Sequence, residues 1–120
     1  MAVVKTALRV CLVSKKILLN RTTIKLLGSP THLCFWYDET EGVLTFLPAA
    51  EDDLDAFEIP KHFWKSTKHS CEIARIAFLV ALQEQIGWED KSRYVYDGSI
   101  VDRNGIPSAV FELSNGTRIK

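Results

Sequence analysis

The chain carries no net charge: fifteen Lys and Arg balance fifteen Asp and Glu over 120 residues. That balance excludes a histone-like polycation. With hydrophobic residues at 47%, it also excludes a disordered chain, which is poor in apolar residues and rich in net charge. Cysteines are too few for a disulfide scaffold. Cys11, Cys34 and Cys71 are odd in number and widely spaced, whereas small secreted folds are stapled by a denser, even set. Long hydrophobic runs are missing too. The longest, 76–82, is far shorter than the twenty or so residues of a membrane helix. The apolar stretch 7–13 is interrupted by Arg9 and closed by Lys15 and Lys16, unlike a secretory leader. The expectation is a soluble, cytoplasmic protein with no membrane partner, in which the Asn-x-Thr triplets at Asn20 and Asn115 carry no glycosylation meaning.

Several chemistries lack their residues. There is no glycine-rich phosphate loop. The set His62, His69 and Cys71 matches no usual zinc spacing, and Glu51, Asp52, Asp53 and Asp55 lack the spacing and glycine of a calcium loop. Neither Cys71 with His69 nor Ser70 has a third orienting group for nucleophilic catalysis, although Cys71 at a helix N-terminus would have a lowered pKa. The reading is therefore no catalytic residues, no metal and no cofactor.

What is present reads as alternating short strands and helices. Leu8, Val10 and Leu12 share one face of a strand over 7–13, and 17–19 forms a second strand. Asn20 has the chemistry of an N-cap for a two-turn helix over 21–27, which Gly28 and Pro30 stop. Residues 33–37 and 43–47 form a hairpin across the polar turn 38–42. Leu33, Phe35 and Tyr37 lie on one face and Cys34 and Trp36 on the other, so both faces are apolar, as in a barrel or a covered interface. An acidic linker spans 49–55. Then come a strand over 56–59, a basic aromatic loop over 61–69 and a long helix over 71–86. Ser70 would cap that helix, and its apolar middle places it centrally. Strands over 93–96 and 109–113 close the chain. The fold class is α+β: a small barrel-like sheet with one short and one long helix, in the order ββαββ-βαββ. Residues 1–48 form one module and 56–120 a strand–helix–hairpin half packed on it in one compact domain.

Neutral overall, the chain is strongly segregated. Residues 1–37 hold Lys5, Arg9, Lys15, Lys16, Arg21 and Lys25 and no acid, giving +6, while residues 38–60 hold eight acids and no base, giving −8. Residues 61–75 are +3 and the remainder −1. The +6 block either attracts a polyanion or pairs with the acids in the fold.

Lys15-Lys-Ile-Leu-Leu-Asn-Arg-Thr-Thr-Ile-Lys-Leu-Leu-Gly28, followed by the hairpin, resembles the AbrB-like swapped-hairpin family of transcription regulators over residues 14–48. Ile17, Leu19, Leu27 and Gly28 fall on matching positions and Lys16 stands for an arginine; Asn20 replaces the usual proline. The resemblance implies a homodimer with interleaved hairpins that binds double-stranded DNA and regulates transcription. Of the DNA contacts, it carries over Lys16; Lys15, Arg21, Lys25 and Arg9 join on charge alone, chiefly as phosphate contacts. The alternative is a non-enzymatic interaction protein that binds and inhibits another protein. It would use the acidic stretch 38–58 or the loop bearing Phe63, Trp64 and Lys65, whose aromatics otherwise cap the long helix.

Overall fold

A computed structural model describes residues 6–115 and 117–118. The strands are β1 (Thr6–Cys11), β2 (Lys16–Asn20), β3 (His32–Asp38), β4 (Val43–Pro48), β5 (Phe57–Glu58), β6 (Ser70–Ile73), β7 (Arg93–Arg103), β8 (Ile106–Glu112) and β9 (Thr117–Arg118). The helices are α1 (Arg21–Leu26), α2 (Lys61–Lys65) and α3 (Ile76–Ile86), and Leu113–Asn115 makes one 3-10 turn. Eight strands pair in the order β5-β3-β4-β8-β7-β1-β2-β6, with β9 beside β7. Every pairing is antiparallel, and the sheet curls into a nearly closed, barrel-like α+β fold.

The local signals explain much of this. Asn20 caps α1, its Oδ1 accepting from Thr23 N at 2.9 Å, and the Thr23 hydroxyl ties the helix to β1 by accepting from Ala7 N at 3.2 Å. Asn104 and Gly105, with φ of 55° and 82°, form the two-residue turn between β7 and β8 that suits the right-handed twist of a hairpin. Alternation sets the inside of the barrel. Leu8, Val10, Ile17, Leu19, Leu33, Leu44, Phe46, Ile73 and Phe111 are essentially fully buried, with Phe46 and Phe111 edge to face at 5.9 Å.

The order strand, helix, hairpin occurs twice, as β2-α1-β3-β4 and β6-α3-β7-β8. Corresponding strands pair with each other, β2 with β6 and β4 with β8, as two units facing across a two-fold axis would. The chain thus carries two hairpins of this kind, β3–β4 and β7–β8. The second covers one edge of β3–β4.

Four expectations need correction. The helix over 71–86 starts only at Ile76, because 70–73 is the strand β6. Cys71 and Ile73 face the core opposite Leu19 and Ile17, and pairing with the exposed edge of β2 outweighs local helix propensity. Ser70 therefore caps nothing, and α3 begins without a side-chain cap. The helix is not central either: Leu79 and Leu82 are buried, while Ile76 and Val80 are 59% and 40% exposed. Residues 61–65 of the expected loop form a third short helix, and two-residue β5 is followed by it rather than by a long helix. Finally, the strand over 93–96 continues through Asp97 and Gly98 to Arg103. Through Gly98 the strand pairs with β1, and from Ser99 onward with β8. A Cβ on Gly98 would lie 2.4 Å from the Val110 carbonyl oxygen and 2.5 Å from the Phe111 ring, so glycine here permits close approach.

Candidate functional site

The outer face of the sheet carries what the core does not use. Ladder register lines up Trp36, Thr45, Val110 and Ser99 across β3, β4, β8 and β7, with Asp38, Val43 and Glu112 in the next row. Together with Asp97, Val101, Arg103 and the turn residue Glu41 they line an open depression of about 540 Å³. Trp36 stands at its edge 43% exposed, unusual for so large an apolar side chain. Asp38 is held by its own turn, its Oδ1 accepting from Thr40 N at 2.9 Å and Glu41 N at 3.2 Å. Four carboxylates against one guanidinium make the depression acidic.

At the other end of β7, the same outer face turns basic. Arg9, Lys16 and Arg93 surround a smaller depression of about 270 Å³, with Cys11, Ser14, Leu18 and Tyr94 completing it. Burial pushes the Cys11 thiol up. Hydrogen bonds from the Ser14 hydroxyl at 3.1 Å, the Ser14 and Val13 backbone and the Arg93 side chain outweigh that and hold it at about 7.

Of the five cations expected at DNA, Arg9 and Lys16 line this depression and Lys15, Arg21 and Lys25 do not. Lys15 pairs with Asp90 at 3.1 Å and Lys16 with Glu72 at 2.7 Å, which also holds the Glu72 carboxyl below its usual range. Arg21 turns inward: its guanidinium donates to the carbonyl oxygens of Lys68 at 2.9 Å, Phe63 at 2.8 Å and Ser66 at 3.1 Å, and lies 4.1 Å over the Phe63 ring. Lys25 is exposed on α1, and Arg9 is exposed on β1 beside Arg93. The +6 block and its acidic counterparts thus meet in part, though the acids come from β6 and the 89–90 turn rather than from 38–60.

The alternative set is also divided. Phe63 is 3% exposed, in the core, with Trp64 half-buried against it at 5.2 Å, while Lys65 is exposed. Cys71 was expected at a helix N-terminus with a lowered pKa. It faces the core on β6 instead, and burial, reinforced by Glu72, pushes its thiol up to about 11. Among the described residues, no three His, Cys, Asp or Glu side chains gather as a metal site, and no helix is long and apolar enough to cross a membrane.

No protein-family model, no curated protein and no solved structure matches this chain. The site therefore rests on its own geometry. Sequence reasoning missed Trp36, Asp97, Glu112 and Arg103 as neighbours, since only the β4–β8 pairing brings them together. It also missed Cys11 with Arg93. One signal was available: Trp36 falls on the face opposite Leu33, which marks it as outward-facing once the other face is taken as the core.

Proposed function

We propose that this chain is a non-enzymatic binding protein whose outer sheet face takes a cationic segment of a partner protein. The observation that carries the reading is Trp36, largely uncovered in an open depression rimmed by Asp38, Glu41, Asp97 and Glu112. An indole face attracts ammonium and guanidinium groups by about 0.5–2 kcal/mol, depending on how far they are desolvated. Carboxylates around it steer such groups in and suppress acidic partners. Exposed ion pairs each contribute roughly 0–1 kcal/mol, so binding should depend strongly on salt.

A DNA-binding regulator draws less support from the same surface. Two of its five expected cations are in ion pairs and Arg21 is used internally, which leaves Arg9 and Lys25 on separate elements. A homodimer is not needed to complete the barrel, because β7–β8 already supplies a second hairpin.

Calorimetric titration with an arginine-rich peptide and, separately, with random duplex DNA distinguishes these readings. The expected result is peptide binding that weakens between about 50 and 200 mM salt and is lost in Trp36→Ala, with no comparable DNA binding. DNA binding with a steep salt slope, unaffected by Trp36→Ala, would overturn the proposal, as would absent peptide binding at low salt.

A further inference from the structure

The basic depression has its own chemistry. Cys11 of β1 sits opposite Lys16 of β2 and Arg93 of β7, and Arg9 sits opposite Val95, so the two arginines are diagonal neighbours across one ladder. Such neighbours are about 7–8 Å apart at Cα, within mutual reach of long side chains. Neither arginine is ion-paired to a described carboxylate: Glu72, on the adjoining strand, is held by Lys16 at 2.7 Å. Two guanidinium groups beside one cavity, without a carboxylate between them, repel each other until an anion joins them.

We propose that the Arg9–Arg93 groove binds a phosphate dianion, free or as a phosphomonoester. Guanidinium groups present paired donors that match the oxygens of phosphate, and two of them balance its charge. The depression, at about 270 Å³, has room for a hydrated phosphate. The site is distinct from the acidic groove and does not depend on it.

Cys11 reports occupancy. Ser14 donates to its sulfur at 3.1 Å and the Arg93 side chain also reaches it, while Tyr94 of β7, Lys16 of β2 (paired with Glu72 of β6) and Arg9 of its own strand line the same depression. A bound dianion opposes the thiolate, so occupancy slows thiol alkylation near neutral pH. By linkage, the thiolate weakens the anion at higher pH.

The test is iodoacetamide labelling of the full chain at pH 7, with Cys11 followed by peptide mass spectrometry, in phosphate and in chloride at equal ionic strength. Phosphate should slow labelling of Cys11 saturably, by about fivefold. Arg9→Gln should abolish the slowing while leaving Cys11 reactive, and Lys25→Gln, a cation elsewhere, should leave it intact. An unchanged rate in phosphate, or equal slowing in Arg9→Gln, overturns the proposal. Protection by duplex DNA but not by inorganic phosphate overturns it in favour of a nucleic-acid surface.

Discussion

Arg21→Ala separates a structural arginine from a solvent-facing one. The side chain closes the C-terminal end of α2, where Ser66 N at 3.1 Å and the Ser66 hydroxyl at 2.7 Å also donate to the Phe63 carbonyl oxygen. It donates to the carbonyl oxygens of Phe63 at 2.8 Å, Ser66 at 3.1 Å and Lys68 at 2.9 Å, and covers the Phe63 ring. A hydrogen bond from a charged donor contributes about 1.5–3 kcal/mol. Counting only the two partly buried bonds, at the low end, gives about 3 kcal/mol, and the ring contact adds roughly 0.5–1 kcal/mol. Water reaching the released carbonyls offsets part of this, leaving about 2–3 kcal/mol. For a domain of this size that lowers Tm by roughly 10 °C. Urea denaturation followed by tryptophan fluorescence measures it, and the m-value should be unchanged. Arg21→Lys should recover less than half, since one ammonium cannot reproduce the fork. A loss under about 0.5 kcal/mol, typical of a surface substitution, would mean that Arg21 does not hold the end of α2.

Three other perturbations follow from named contacts. Gly98→Ala forces a methyl against the Val110 carbonyl and Phe111 ring, and should lower stability by about 3 kcal/mol, the upper end for overpacking; an unchanged urea midpoint would contradict it. Tyr96→Phe leaves the buried Trp88 indole N–H, now donating to Tyr96 Oη at 2.6 Å, without an acceptor, at about 1–3 kcal/mol. Burial also raises the Tyr96 pKa above its unfolded value, so its contribution is complete below about pH 10 and declines as pH rises past it. Urea midpoints of wild type and Tyr96→Phe should therefore converge at alkaline pH. In chloride buffer, iodoacetamide should label Cys11 with a rate rising through about pH 7. Buried Cys71, at about 11, should lag until the protein unfolds; labelling of Cys71 ahead of Cys11 would contradict the assignment.

The sequence was informative where local chemistry decides the backbone. Asn20, Gly28 and the 38–42 turn fix α1 and the first hairpin, and period-two alternation marks β1. It misled where tertiary pairing decides. Residues 70–73 sit beside a strong apolar run and read as helix, but the free edge of β2 draws them into the sheet. Asp97-Gly98 has turn chemistry and sits mid-strand because Phe111 needs the space. The candidate sites depend on such long-range pairing. Trp36 meets Val110 and Ser99 through β4 and β8, and Cys11 meets Arg93 through β1–β7, neighbours that no spacing along the chain reveals.

The docking site of a cationic segment can be located residue by residue. Amide and indole chemical-shift mapping by NMR, during titration with the arginine-rich peptide, locates it directly. The Trp36 indole N–H should shift together with the amides of Val43, Ser99 and Val110, while those of Arg9 and Lys25 stay in place. Shifts gathered on Arg9, Lys25 or the exposed face of α3, with Trp36 unmoved, would contradict it.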